Sequence, residues 1–325
     1  MKLLYAIQGT GNGHLSRAVE IVPHLKKYGK LDLFVSGAQA ELGLPFPVKY
    51  KSKGLSFYFG KQGGIDFLKT FQKNSSRDII HEINSFPVED YDLIVNDFEP
   101  ITAWAARKKK VNIVSLSHQA ALLSPKAPRP KFVDPFGEWM LRNYAPVKKY
   151  VGFHFEQYDK NIFTPVIRKA IREAHVKNLG HYTVYLPAYD DEKLVRFFLN
   201  GPKVRWHIFS KHCKSTYHVG RISVYPVSSS EFTESMVSSA GVLCGAGFET
   251  PAEVLSLHKK LMVVPMKNQY EQHCNAAALK QLKVPVLKKV KKRSVDKIEK
   301  WIDDSNPLNI TFPEIVEKAV ARLME

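Results

Sequence analysis

Directly after a short apolar run over residues 3–7, the chain reads Gly9-Thr10-Gly11-Asn12-Gly13-His14 and then turns helical. Glycines at such a strand-to-helix turn let the backbone approach a ligand closely, and the helix start offers unpaired amides to an anion. The pattern is not a dinucleotide fingerprint, which needs glycine where His14 stands, nor a P-loop, since no Lys-Ser/Thr pair follows at the right spacing. His14 is therefore the informative residue, an imidazole at the carboxyl end of a strand, where open α/β sheets hold their ligands. A second apolar strand over 93–96 ends in Asn96-Asp97-Phe98-Glu99-Pro100. In a parallel sheet Asp97 emerges on the same edge as His14, and a His–carboxylate pair is what deprotonating a hydroxyl nucleophile requires. Glu99 suits either that chemistry or the cap of the helix that follows. Asp97, nearer the strand end, is the preferred partner. His118, after a strand over 111–116, points to the same edge and is expected to line the site.

A comparable strand–turn–helix recurs later, as Gly245-Ala246-Gly247-Phe248-Glu249-Thr250-Pro251-Ala252-Glu253. A diphosphate fits the amides of 247–250 and the Thr250 hydroxyl, with Pro251 near the helix start, where its missing N–H costs little. Glu253, about one turn on, is placed to accept from paired sugar hydroxyls. Between a strand over 261–265 and a helix over 270–282, the segment from Pro265 to Asn275 clusters Glu271, Gln272 and Asn275, acceptors and amides suited to a second sugar.

The elements that must position these groups alternate strand and helix throughout. Strands are expected at 3–7, 31–36, 93–96 and 111–116, with helices at 14–28 and 101–107. A second cycle places strands at 182–186, 205–209, 241–244 and 261–265, and helices at 192–199, 231–238, 250–257 and 270–282. Nearly unbroken apolar strands separated by helices imply parallel sheets covered on both faces. Residues 54–73 and the proline-rich 124–135 break the alternation and read as long loops of the kind that bind substrates. A linker is expected near 163–173, and a final helix over 312–324 carries an apolar face that must be buried. The domain expectation is 1–163 for an acceptor-binding unit, 164–311 for a donor-binding unit, and 312–325 returning to the first.

The chain has 325 residues with 44% hydrophobic and 24% charged, a globular composition that excludes disordered, collagen-like and coiled-coil classes. Lys and Arg number 48 against 31 Asp and Glu, so a formal +17 favours anionic ligands or an anionic membrane face. Three cysteines without C-x-x-C spacing argue against a disulfide framework and a structural zinc site. With no signal-like or spanning segment, a cytoplasmic location is expected, with peripheral contact at the inner membrane face open. Nucleic acid is not an expected partner, because no helix-turn-helix, aromatic stacking motif or zinc finger accompanies the charge.

Together these motifs resemble the nucleotide-sugar glycosyltransferases of the GT-B class, nearest to UDP-sugar-dependent enzymes and the N-acetylglucosaminyltransferase that makes lipid II. The likeness rests on the N-terminal GTGNGHLSRA and on Gly247–Glu253 followed by Glu271-Gln272 and Asn275. It implies two tandem Rossmann-like doubly wound domains facing across a cleft, with the C-terminal helix packing back on the first. It also implies metal-independent, inverting transfer from a UDP-sugar to a hydroxyl acceptor, with no cofactor beyond that co-substrate. His14 is then the base and Asp97 its orienting partner. Gly247 and Thr250 face the donor diphosphate, Glu253 the ribose, Glu271 and Gln272 the transferred sugar, and Val227 the nucleobase edge, with Gly245 and Asn275 also on the donor side. Gly11, Asn12, Gly13, Glu99 and His118 fall on the phosphate and acceptor side. The segment after His14 reads Leu-Ser-Arg where many members of that class carry a proline, and Arg17 is a candidate for phosphate or acceptor contact. The aromatics Phe57, Tyr58, Phe59, Phe67 and Phe71 fit either an apolar acceptor channel or simple loop packing. The competing readings are a UDP-sugar 2-epimerase of the same fold and a non-catalytic nucleotide-sugar or polyanion binder.

Overall fold

The computed structural model describes residues 1–37, 43–54 and 76–325. The five aromatics of the proposed acceptor channel lie outside the described residues. What is described divides into two compact units: the chain through Arg168 together with Pro313–Glu325, and Lys169–Phe312.

In the first unit, β1 (Lys2–Gln8), α1 (Asn12–Leu25), β2 (Lys30–Ser36), β3 (Tyr50–Ser52) and α2 (Ser76–Ser85) come first. They are followed by β4 (Leu93–Asp97), α3 (Pro100–Lys109), β5 (Ile113–Ser117), α4 (His118–Ala121), α5 (Pro135–Asn143), β6 (Lys149–Phe153) and β7 (Ile162–Phe163). The strands form one parallel sheet in the order β3-β2-β1-β4-β5-β6-β7. The order reverses at β1, the point where open sheets of this kind place their ligands. Residues 3–7 of β1 and 93–96 of β4 are fully or nearly fully buried, because helices cover both faces, which explains their unbroken apolar character.

The second unit holds α6 (Lys169–Arg172), β8 (His181–Tyr185), α7 (Asp191–Leu199), β9 (Arg205–Ser210), β10 (Tyr217–Val219), β11 (Ile222–Pro226) and α8 (Ser229–Ser238). It continues through β12 (Gly241–Gly245), α9 (Glu249–Ser256), β13 (Lys260–Val264), α10 (Tyr270–Gln281) and α11 (Val295–Asp304). Its sheet runs β10-β11-β9-β8-β12-β13 and is parallel except for the β10–β11 hairpin. Trp206, Trp301, Phe198 and Tyr182 fill its core.

The last helix, α12 (Val316–Met324), starts four residues later than its apolar pattern suggests, after Pro313. Pro lacks the N–H a helix interior needs, so the buried Phe312 packs outside the helix. Val316, Ala319, Val320 and Leu323 form the buried stripe of α12, which packs on α1 and β6 of the first unit. The strand expected from residue 111 begins at Ile113 instead. Lys110 takes the left-handed conformation at φ 58° to end α3, and the Val111 amide returns to the Ala106 carbonyl. Asp190 occupies the N-cap of α7, but its side chain makes no capping hydrogen bond.

Candidate active site

β1 and β4 are neighbours with Ile7 opposite Asp97, so His14, one turn into α1, and Asp97, the last residue of β4, meet at the same sheet edge. His14 Nδ1 lies 2.8 Å from Asp97 Oδ1, with the imidazole 14% exposed and the carboxylate fully buried. If Nδ1 carries the proton toward the carboxylate, Nε2 keeps its lone pair.

Asp97 is more heavily engaged than a His–Asp pair alone. Arg17, one helical turn beyond His14 and equally buried, places Nη2 at 2.6 Å and 2.9 Å from the two Asp97 oxygens and 3.0 Å from His14 Nδ1. The Tyr5 hydroxyl donates to Asp97 Oδ2 at 3.2 Å. Burial pushes the Asp97 carboxyl upward, but the Arg17 guanidinium and the imidazole outweigh it and hold the group below its ordinary value. Arg17 is thus bound to Asp97 through Nη2.

The turn after β4 is fixed locally. Asn96 Nδ2 donates to the Glu99 carbonyl at 2.7 Å and to Thr102 Oγ1 at 3.0 Å, while Phe98 takes the left-handed conformation at φ 56°. Such a conformation is unfavourable for a bulky residue and persists only where neighbours impose it. Glu99 resolves as the cap of α3: its carboxylate accepts from the Ile101 and Thr102 amides at 2.8 and 2.7 Å and from Thr102 Oγ1. It is fully buried, so its expected place on the acceptor side is corrected. Burial raises its carboxyl to about 6 despite those hydrogen bonds. His118 is corrected likewise, since it is fully buried and its Nδ1 faces the Phe153 carbonyl at 2.8 Å. Tyr144 was not legible as a neighbour of the site; its hydroxyl accepts from Gln8 Nε2 at 3.1 Å and its ring lies 4.9 Å from Phe98.

Gly11 is the N-cap of α1, with no side-chain cap, and Asn12 and Gly13 open the helix. A Cβ at Gly11 would meet nothing within 4 Å, so the approach to that turn is open. Gly9, by contrast, is pressed on β2: a Cβ there would sit 2.9 Å from Val35 Cγ1, and its amide donates to the Ser36 carbonyl at 2.6 Å.

In the second unit, β12 ends at Gly245 and α9 begins at Glu249, with Phe248 as an N-cap that offers no side-chain bond. Gly247 has open space around it, while Thr250 is half-buried and Glu253 buried. Gln272 Oε1 accepts from the Met266 amide at 2.9 Å, and Asn275 Nδ2 donates to the Ala246 carbonyl at 3.2 Å. Asn275 is fully buried, so its expected contact with the donor is corrected to bracing of the turn after β12. The Gln272 carbonyl closes the turn before α10 in the same way. Glu271 is half-buried in the first turn of α10, and Val227 half-buried just past β11. At the carboxyl ends of β8, β12 and β13 lies a cavity of about 600 Å³, whose lining includes Leu186, Tyr189, Gly245, Met266, Lys288 and Lys289. That volume is within the usual range for a small-molecule site.

Two Rossmann-like α/β units are the fold of the GT-B class. The profile of glycosyl transferase family 1 matches residues 1–304, and the chain belongs to that family. Its fold is similar to MurG of Acinetobacter baumannii at 15% identity and TM-score 0.58, covering 99% of each chain. It is also similar to UGT2 of Phytolacca americana, solved with UDP-2-fluoro-glucose and pterostilbene, at 14% identity and TM-score 0.58 over 99% of this chain and 93% of that one. UGT89C1 of Arabidopsis thaliana, solved with UDP, matches at 14% identity and TM-score 0.58 over 100% and 94%. Comparison with curated proteins gives no match.

Proposed function

We propose that this enzyme transfers a sugar from a UDP-sugar to a hydroxyl acceptor with inversion at the anomeric carbon, using His14 as general base. The observation that carries the reading is the 2.8 Å contact between His14 Nδ1 and the buried Asp97 carboxylate at the carboxyl ends of β1 and β4. The UDP-sugar complex of the similar Phytolacca enzyme supports the choice of donor.

In this reading the acceptor oxygen gives its proton to His14 Nε2 as it attacks the anomeric carbon. The bond from that carbon to the diphosphate oxygen breaks, and its electron pair leaves with UDP. Asp97 holds the ring and offsets the charge of the imidazolium. The second unit holds the donor, with the diphosphate on the open turn at Gly247 and the uncapped amides of α9, and Glu253 and Glu271 toward sugar hydroxyls. Among the described residues no three His, Cys, Asp or Glu side chains converge as metal ligands, and the reading assigns leaving-group stabilisation to helix amides and cations. Turnover that survives a chelator supports this; turnover abolished by the chelator and restored by a divalent cation would overturn it.

The first test is the thermal midpoint with UDP, GDP, dTDP, ADP or phosphate at equal concentration. A ligand at 100 times its Kd adds about 2.7 kcal/mol. A shift with UDP alone leads to a screen of UDP-sugars for hydrolysis and transfer. Equal shifts with every ligand, phosphate included, would mean unselective anion binding by the +17 chain and would remove the donor assignment.

A further inference from the structure

In the first unit, the segment entering α5 carries large apolar side chains outward in a way that neither core packing nor the proposed reaction uses. Phe132 is 84% exposed, Val133 51%, Phe136 48% and Trp139 56%, whereas most other bulky apolar side chains among the described residues are buried. Gly137 and Leu141 form the inward side of α5. Phe136, Trp139 and Arg142 recur at a spacing of three along the outward side, and the Phe136 and Trp139 rings stack with centroids 6.0 Å apart. Exposed large apolar side chains concentrated in one short segment mark an interaction surface.

The charges around it say what covers it. Between residues 124 and 143 there are four basic residues and two carboxylates. Both carboxylates are occupied internally: Asp134 accepts from the Phe136 amide as the cap of α5, and Glu138 pairs with Arg129 and, at 3.6 Å, with Arg142. Lys126 and Lys131 are exposed, with the Lys131 ammonium 5.8 Å from the Phe132 ring centre. The surface therefore offers aromatic rings with positive charge beside them and its negative charge neutralised. That is the pattern that seats an amphipathic helix in the headgroup region of a bilayer, where aromatic bodies enter the acyl boundary and cations meet anionic headgroups. No helix among the described residues is long and apolar enough to cross a membrane.

We propose that Phe132, Val133, Phe136 and Trp139, with Lys126 and Lys131, form a docking surface for a bilayer containing anionic lipid. Phe136 and Trp139 lie on α5 and the other four in the segment that enters it; α5 ends at Tyr144, which accepts from Gln8 and packs on Phe98 beside the strand ends of the first unit. Docking is independent of whether His14 is the base, and its test reads no turnover.

The experiment is sedimentation of the full chain with vesicles of phosphatidylcholine alone and of phosphatidylcholine mixed with phosphatidylglycerol. The expected result is retention by the mixed vesicles and about tenfold less by the neutral ones. The Phe132→Ser/Trp139→Ser double variant, at an unchanged thermal midpoint, loses about tenfold in binding to the mixed vesicles. Lys288→Gln/Lys289→Gln, which lowers charge in the other unit, keeps most of its binding. As a second readout, vesicles shift the tryptophan emission to the blue, and Trp139→Phe, which leaves the packing nearly intact, removes that shift. Equal binding by the double variant, loss confined to the Lys288/Lys289 variant, or an emission shift that survives Trp139→Phe would each overturn the proposal. So would self-association without lipid that the double variant abolishes, because the occupant would then be a second copy of the chain.

Discussion

Arg17 changes what the His14–Asp97 pair can do. Arg17 donates to both Asp97 oxygens and supplies the charge that offsets the buried carboxylate, which is thereby held where it orients the ring. Because truncation leaves a buried charge unpaired, Arg17→Met is expected to cost about 3–5 kcal/mol, read as a lower urea midpoint, and Arg17→Lys to restore part of it. An unchanged midpoint in Arg17→Met would show that the ion pair adds nothing to stability. His14→Ala removes a largely buried imidazole, 14% exposed, from Asp97 and is expected to lower kcat roughly 10²–10⁴-fold in a chain that still folds. A non-catalytic binder would show undiminished ligand binding in that variant and no turnover in either form.

The helix caps and strand contacts are where element formation and the site meet. Glu99 starts α3 and thereby fixes the turn carrying Asp97, yet burial raises its carboxyl to about 6 from an ordinary 4.5. The folded chain then holds a proton that the unfolded chain has released between those values. Stability attributable to this group is present below pH 4.5 and falls as pH rises to 6, by on the order of 2 kcal/mol. Relative to Glu99→Gln, the wild type is expected to lose denaturant resistance across that window; parallel pH curves would refute the linkage. At the other side of the sheet, a Cβ on Gly152 would lie 2.6 Å from the Ala121 backbone, so β6 and α4 touch directly. Gly152→Ala forces them apart and is expected to cost about 1–3 kcal/mol, read as a lower urea midpoint at constant slope.

Across the molecule, the first unit is closed by a segment from the far end of the sequence. α12 buries three large apolar side chains and an alanine on α1 and β6, and Lys27 pairs with Glu317 at 3.1 Å. That exposed pair contributes little, so the apolar stripe decides. Deleting residues 313–325 is expected to destabilise the first unit by on the order of 5 kcal/mol and leave the second unchanged. Heat would then melt the chain in two steps, with the earlier step reported by hydrogen exchange in β1 and β4; protection lost first in β8 and β12 would contradict this. The basic run at 107–110 illustrates how charge is spent at this level: Lys108 binds Asn84, Lys109 binds Glu89 and the Phe86 carbonyl, and Arg107 stacks on Trp104.

By itself the sequence determined the alternation of strands and helices, the parallel sheets and the pairing of His14 with Asp97. These follow from local causes: unbroken apolar strands demand two covered faces, and strand ends followed by helices put their side chains on one edge. Short elements such as β3, β7 and α4 escaped notice because a few residues carry too little periodicity to register. Which polar residues face a ligand was decided by the tertiary structure alone. Glu99, His118 and Asn275 share the residue types and spacing of site groups, but burial and a local hydrogen-bond partner turned each into a brace. Arg17 became the counter-charge of Asp97 because a contact between α1 and the end of β4 exists only once the sheet is assembled. The outward rings on α5 likewise became visible only when the fold had chosen which apolar residues to bury.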